Sequence, residues 1–188
     1  LNIDENPKEL ADALNDLNIP IIVTHPTTVA DNPGLYQLLG SIFNRTREAA
    51  GLIKNFDEAH RTLKQSLSTS PLRRVLYLIW QDPWMSVSAD TYIADMLRHI
   101  NCQVVHQETE TRYPECSLSD RFLKNVDLIL FSSEPYEFTE RHLSDFSRAH
   151  PRHAEKAHLI DGEMMSWYGS RAIKALSYLG DYNKALST

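Results

Sequence analysis

The second half of the chain alternates short, continuously apolar runs with amphipathic helical patterns, and this alternation restricts the fold more than any other feature. The apolar runs are β-type and lie at Arg74–Trp80, Gln103–His106, Val126–Phe131 and Ala157–Ile160. Helical patterns lie after them, at Ser88–Ile100, Ser119–Lys124, Thr139–Ala149 and Arg171–Tyr178. Strands that are apolar along their whole length are typical of parallel sheets, which helices cover on both faces. The sequence therefore predicts an α/β lobe from about residue 71 to the end of the chain.

The first part of the chain is organised differently. A short helix is predicted from Asn6 to Leu17 and a strand from Ile19 to Thr24. From Asn32 to about Leu67, apolar side chains recur at helical spacing, and Ser68–Pro71 ends the pattern. A single helix of about 35 residues would be long for a chain of this size. We expect it either to kink near Gly40 or Gly51 or to join two separate bodies.

Charge and motif content exclude several classes of function. The net charge of -6, with 19 scattered Lys and Arg residues, argues against a nucleic-acid-binding surface. No run of apolar residues is long enough for a transmembrane helix. Phosphate-binding loops, the dinucleotide fingerprint, the nucleophile elbow and HExxH are all absent from the sequence. Nothing in the pattern therefore predicts catalysis or a cofactor.

The histidines and cysteines of the chain indicate neither a metal site nor a disulfide. Four histidines near the C-terminus fall on a predicted helix, a turn and a strand without the spacing of a zinc site, so we interpret them as surface residues: His142, His150, His153 and His158. Cys102 and Cys116 lie beyond opposite ends of a predicted strand. Because a disulfide needs Cα atoms within roughly 7 Å, we expect two free thiols.

Three strand-to-helix loops carry the residues most suited to binding. Parallel strands all end at one edge of the sheet, and open α/β proteins bind ligands there. The loops span residues 81–88, 132–139 and 161–171, and together they bring four aromatic side chains and one arginine to that edge: Trp84, Tyr136, Trp167, Tyr168 and Arg171. Any one of the aromatic side chains could instead pack beneath its loop, and Arg171 could bond carbonyls of its own loop. Three such loops on one edge favour a binding site for a large, partly apolar ligand.

These loops resemble a known family. The resemblance rests on Asp82-Pro83-Trp84-Met85, Asp90-Thr91-Tyr92-Ile93, Tyr113-Pro114-Glu115, Ser132-Ser133-Glu134-Pro135-Tyr136, Asp161-Gly162-Glu163 and Ser166-Trp167-Tyr168-Gly169-Ser170-Arg171. Together they look like the cobalamin and iron-siderophore class of substrate-binding proteins of ABC importers. That class has two α/β lobes joined by one long rigid helix, with the ligand between the lobes.

The resemblance implies a division of the chain into three parts. Residues 1–31 would be a remnant of the N-terminal lobe, residues 32–70 the long connecting helix, and residues 71–188 the C-terminal α/β lobe. Members of the class normally carry most of a first lobe before the point where Leu1 stands, so we expect either a fragment or a naturally shortened form. A strand at Ile19–Thr24 would then have unpaired edges, which invite pairing with another chain and a dimer.

The resemblance also implies a function. The chain would be the periplasmic or otherwise extracytoplasmic binding component of an importer for a metal chelate, namely cobalamin, a ferric siderophore or haem, with or without a lipid anchor. Trp84, Tyr136, Trp167, Tyr168 and Arg171 would contact the chelate. We expect recognition of the whole chelate rather than coordination of a bare ion, with Tyr136, Tyr168 and His142 as the candidates for a direct metal ligand. One surface acid would dock on arginines of the membrane permease, and the candidates are Glu134, Glu137 and Glu140.

Two other classes of function stay open at this point. The first is an α/β enzyme that uses the same edge of the sheet, with Ser170 or Glu134 carrying the chemistry; an acid or base with a shifted pKa there would support it. The second is a ligand-free module whose exposed aromatic rim contacts another protein.

Overall fold

The computed structural model describes residues 1–3, 6–67, 71–106 and 110–186. Its helices and strands, in chain order, are α1 (Lys8–Asp16), α2 (Asn32–Ile42), α3 (Thr46–Ser66), β1 (Arg73–Trp80), β2 (Met85–Ser86), α4 (Tyr92–Arg98), β3 (Cys102–Val104), α5 (Asp120–Leu123), β4 (Leu128–Ser132), α6 (Glu140–Ala149), β5 (Ala157–Ile160), α7 (Gly162–Ser166) and α8 (Arg171–Ala185). Short 3-10 turns lie at Val29–Asp31 and Pro151–Lys156. The predicted break at Ser68–Pro71 falls mostly on residues 68–70, outside the described residues.

A mainly parallel sheet forms the centre of the lobe built by residues 71–186. β1 pairs in parallel with β4, and β4 pairs in parallel with β5. On its other side, β1 pairs in parallel with β3 near Arg73–Val75 and antiparallel with the two-residue β2 near its end. The predicted α/β class is therefore confirmed, and each of the four predicted strands of this lobe forms within two residues of its predicted bounds.

Both faces of the sheet are covered, as continuous apolar strands require. Along β1, Val75, Tyr77 and Ile79 belong to one core, which includes residues of α3, α4 and α8. Leu76 and Leu78 point into the second core, which includes residues of α5 and α6. Successive side chains of a strand point to opposite faces of the sheet. A strand that is apolar at every position therefore contributes side chains to both cores.

The predicted connecting helix is two helices rather than one. α2 ends at Ile42 and α3 begins at Thr46, with Asn44 in the left-handed region at a φ of 53°. The interruption lies next to Gly40, where an added Cβ would come within 2.5 Å of the Ala49 Cβ, and not at Gly51, where nothing lies within 4 Å. The left-handed residue Asn44 turns the chain, and glycine at position 40 allows α3 to pack closely against α2 after the turn.

The predicted strand at Ile19–Thr24 does not form. Within the described residues the segment makes a single β-bridge, between Asn2 and Thr24, and Ile19, Ile22 and Val23 are exposed. α1 forms close to its predicted position but buries none of its residues. Residues 1–3 lie beside the end of the 19–24 segment and bond to it through Leu1 N to Ile22 O, Thr24 N to Leu1 O and Ile3 N to Thr24 O. This pairing is too short to form a ladder along the whole segment.

Candidate functional site

A cavity of about 700 Å³ opens at the edge of the sheet where β1 and β4 end. Five of the described residues that line it are aromatic: Trp80, Tyr92, Tyr113, Trp167 and Tyr168. Arg112 and Glu134 are the charged residues of the described lining, one of each sign. A volume of this size suits a large organic ligand, and a mainly apolar wall with aromatic residues and few charged groups is typical of small-molecule sites.

The 161–171 loop supplies two of the predicted contacts. Trp167 is 50% exposed, and its indole Nε1 donates a hydrogen bond to Glu134 Oε2 at 3.0 Å. The Tyr168 ring packs edge-on against Tyr92 with centroids 5.8 Å apart. The short helix α7, which the sequence pattern did not predict, occupies the start of this loop and carries Trp167 at its end. Both predicted aromatic residues therefore lie in the cavity wall.

Trp84 and Tyr136 lie behind the wall rather than in it. The Trp84 ring stacks on Phe138 with centroids 6.0 Å apart and an interplanar angle of 8°. Tyr136 packs against Phe138 and, edge-on, against Trp80 at 5.5 Å, and its hydroxyl bonds to His142 Nε2 at 3.2 Å. Trp84 and Tyr136 thus buttress the cavity, and Trp80 is the residue that carries this packing into its lining.

The predicted charged residues divide in the same way. Arg171 forms an ion pair with Glu163 at the start of α8 and does not line the cavity. Glu134 does line it. Glu137 and Glu140 are exposed at and just before the start of α6. The three acids that the sequence left equivalent therefore occupy two different environments.

Sequence reasoning missed Trp80, Tyr92, Tyr113 and Arg112. Trp80 is the last residue of β1 and Tyr92 the first of α4, so both lie at the edge of the sheet that carries the cavity. Their positions at the ends of predicted elements could have identified them as candidate site residues. Tyr113 and Arg112 reach the edge by another route. The segment around them is hydrogen-bonded to β2 and its flank, with Ser86 N donating to Pro114 O and Ser88 N donating to Arg112 O, each at 2.9 Å.

Asn32 connects the start of α2 to the cavity wall. This fully buried side chain donates to Tyr92 Oη at 3.1 Å and accepts from Gly169 N at 2.7 Å. Tyr36, one helical turn along, donates to Gly169 O at 2.7 Å. Gly169 has a φ of +74°, a conformation that glycine adopts without strain. The aromatic pair Tyr92–Tyr168 is therefore held from below by α2.

Burial sets the protonation of two phenols close to the cavity and of the two cysteine thiols, of which Cys102 lies at the opposite edge of the sheet, beside Arg73. Burial raises the pKa of Tyr92 well above its usual value, and raises that of Tyr36 to about 12. Both phenols are neutral hydrogen-bonding groups near pH 7. Cys102 and Cys116 are free, and burial raises their pKa values to about 11 and about 12, so neither is an activated nucleophile.

Further chemistry finds no support among the described residues. No group of three His, Cys, Asp or Glu side chains in the described ranges could hold a metal ion. Ser170 is exposed at the start of α8 and does not line the cavity. The arrangement can contact one side of a large, partly aromatic ligand, with polar contacts supplied by Arg112 and Glu134.

Comparison with known proteins decides the family. Residues 9–156 match the family described as periplasmic binding protein. The chain belongs to the periplasmic binding protein family. Among the helices that the structure describes, none is both long and apolar enough to cross a membrane. No curated protein sequence matches the chain.

Solved structures with the same fold include several chelate receptors. The periplasmic vitamin B12 binding protein BtuF of Vibrio cholerae superposes with a TM-score of 0.83 at 14% identity, over 100% of this chain and 74% of that one. The periplasmic heme-binding protein RhuT from Roseiflexus sp. RS-1 gives 0.78 at 12% identity, over 100% and 75%. S. aureus IsdE complexed with heme gives 0.71 at 17% identity, over 93% and 72%. At these identities the likeness establishes a shared fold with cobalamin and haem receptors.

Proposed function

We propose that this periplasmic binding protein is the extracytoplasmic, non-enzymatic substrate-binding component of an ABC importer for a bulky metal chelate. The observation that carries the proposal is the cavity of about 700 Å³ with five aromatic residues in its wall at the carboxyl edge of the sheet. Large flat or puckered macrocycles bind by stacking and edge contacts with such rings, which contribute beyond the area they bury. The ligands named for the similar structures, vitamin B12 and heme, belong to the same class.

The charge of the cavity wall restricts the class of chelate that we propose as the ligand. Arg112 and Glu134 balance each other in the described lining. A catecholate chelate with several negative charges would be desolvated against a nearly neutral wall, which is costly without several cations. A corrinoid, whose periphery is mostly neutral amide, fits this wall better. We therefore rank cobalamin-like chelates first and haem second, since haem carries two carboxylates that Arg112 alone would have to balance.

Titration with chelates tests the proposal. We would add cyanocobalamin, haem, a ferric catecholate and a ferric hydroxamate in turn while following tryptophan fluorescence. The Trp167→Ala variant should weaken binding of the preferred chelate about tenfold, because it removes an aromatic wall residue. The matched control is Phe43→Ala, an exposed aromatic residue just after the C-terminal end of α2 that does not line the cavity. Failure of all four chelates to bind would refute the receptor function.

Docking on a permease is the second part of the proposal. Glu137 and Glu140 are the exposed candidates, whereas Glu134 hydrogen-bonds Trp167 in the cavity. We therefore propose that the docking acid is Glu137 or Glu140. Charge reversal of each to Lys should abolish stimulation of the cognate transporter's ATPase while leaving chelate affinity within about twofold, because rim charges act on association. Unchanged stimulation in both variants would show that neither residue docks.

A further inference from the structure

Glu134 is the one acid in the described lining of the cavity, and its position is tied to that of Trp167. The indole N–H of Trp167 donates to Glu134 Oε2 at 3.0 Å. Trp167 is half exposed and lies on a different loop from Glu134, 33 residues further along the chain. The bond therefore joins the loop after β4 to the loop after β5 across the cavity wall.

The backbone that carries Glu134 is fixed from inside the protein. The Tyr77 hydroxyl, fully buried under the sheet edge, donates to Ser132 Oγ at 2.9 Å, and Ser132 Oγ donates to Glu134 O at 2.7 Å. Gly162 N donates to Ser133 Oγ at 2.9 Å. A Cβ on Gly162 would come within 2.6 Å of Glu134 N, so the two loops are in direct contact. Glu134 is thus presented by a rigid support rather than by a free surface loop.

The other carboxylate oxygen has a different environment. Among the described residues, the Trp167 indole is the hydrogen-bond donor to the Glu134 side chain, and it contacts Oε2. Oε1 is left to water or to a ligand in the cavity that Glu134 lines. A carboxylate oxygen accepts hydrogen bonds from amide, hydroxyl or ammonium groups, and like charges repel it. The wall therefore offers an acceptor to the periphery of a bound ligand.

We infer that Glu134 is a positioning and specificity-determining residue of this site, an inference that rests on the proposed function. It holds the Trp167 indole in the cavity wall through one oxygen. With the other it favours chelates whose rim carries hydrogen-bond donors over chelates whose rim carries carboxylates. The geometry thus gives Glu134 a role inside the cavity, separate from any contact with a permease.

Selectivity is tested with Glu134→Gln. This variant keeps the size of the side chain and an oxygen acceptor for Trp167 but removes the charge. We expect the haem affinity of Glu134→Gln, measured relative to its cyanocobalamin affinity, to rise about three- to tenfold, the size expected for losing the repulsion of one partly buried carboxylate. Glu137→Gln is the matched control, since Glu137 is exposed outside the cavity. An affinity ratio that is unchanged in Glu134→Gln, or changed equally in Glu137→Gln, would overturn the selectivity.

Positioning is tested without any ligand. Glu134→Ala should reduce the near-ultraviolet circular dichroism of the tryptophans, because the Trp167 ring loses its fixed orientation, and Glu134→Gln should retain the signal. In a Trp167→Phe background, Glu134→Ala should have no such effect. An equal loss in both backgrounds, or no loss in either, would overturn the positioning role. If the wild-type protein binds neither haem nor cyanocobalamin, the selectivity fails, and the proposed function fails with it only if the two ferric siderophores also do not bind. The circular dichroism measurement decides the positioning role in either case.

Discussion

The lobe built by residues 71–186 and the first segment, residues 1–31, use similarly apolar sequences in opposite ways. In the lobe, five consecutive residues of β1, Val75–Ile79, are buried between two cores. In the first segment, α1 buries no residue, and the predicted strand after it makes one β-bridge. The difference shows that apolar periodicity produces a core only where a partner surface exists. The cavity wall comes almost entirely from the lobe, with Asn2 as the first segment's contribution to the lining.

The largest expected contrast is between core truncations in the two regions. Phe131 on β4 is fully buried and contacts the rings of Phe138 and Phe146 at centroid distances of 5.2 and 5.4 Å. Phe131→Ala should lower the free energy of unfolding by about 3–5 kcal/mol, the usual cost of such a cavity. Leu17→Ala, at a position that is 69% exposed, should change it by less than about 0.5 kcal/mol. Urea unfolding measures both, and similar losses would remove the distinction between the regions.

A smaller contrast concerns two glycines. A Cβ at Gly162 would meet Ser132 Oγ and Glu134 N, whereas a Cβ at Gly51 in α3 meets nothing within 4 Å. Gly162→Ala should therefore cost about 1–3 kcal/mol of unfolding free energy through a forced backbone shift. Gly51→Ala should raise the unfolding free energy by up to about 1 kcal/mol, because alanine favours a helix interior. Thermal unfolding of the pair checks the signs, and a harmless Gly162→Ala would mean that the two cavity loops are not in tight contact.

The smallest expected effect is on pH dependence. Burial lowers the pKa values of His99, His106 and His158 below their usual 6.5; at His99 the neighbouring His60 also lowers it, while Asp95 opposes the shift. The unfolded chain then binds more protons than the folded one at pH values just below 6.5. The stability that these residues contribute is present above that pH and is lost as the pH falls through it. Urea midpoints should decrease between about pH 8 and about pH 5.5, less so in His99→Gln. A midpoint that increases over this range would contradict the assignment.

The sequence predicted the lobe well because its signals are local. A continuous apolar run such as Val126–Phe131 can be recognised as a buried strand from its own residues. The parallel pairing of such strands places the loops that follow them on one edge of the sheet. The break between α2 and α3 was harder to locate, since it depends on the contact between Gly40 and Ala49. The prediction of a strand at Ile19–Thr24 was wrong because a β-type pattern forms a strand only beside a partner strand. The local sequence does not show whether such a partner is present.

The site was predicted in part for the same reason. Trp167 and Tyr168 follow a strand and belong to the wall, as expected from their loop. Trp84 lies in an equivalent loop, yet it stacks on Phe138, because a neighbouring apolar core competes for the ring. Tyr113 and Arg112 could not be inferred from a strand-to-helix loop, since they reach the edge through hydrogen bonds to β2 and its flank. Tertiary contacts, not spacing, decided which aromatic residues line the cavity.

Hydrogen–deuterium exchange with and without a bound chelate tests the central claim most directly, because it locates the ligand on the molecule. With cyanocobalamin or haem at saturation, protection should concentrate in three places: around Thr91–Ile93, around Glu134 and at Ser166–Tyr168. Exchange in α1, which buries no residue, and in the outer helix α6 should stay unchanged. Protection at the cavity edge would confirm that the lobe's aromatic wall holds the chelate. Protection confined to α1 or α6, with none at the cavity edge, would contradict the account.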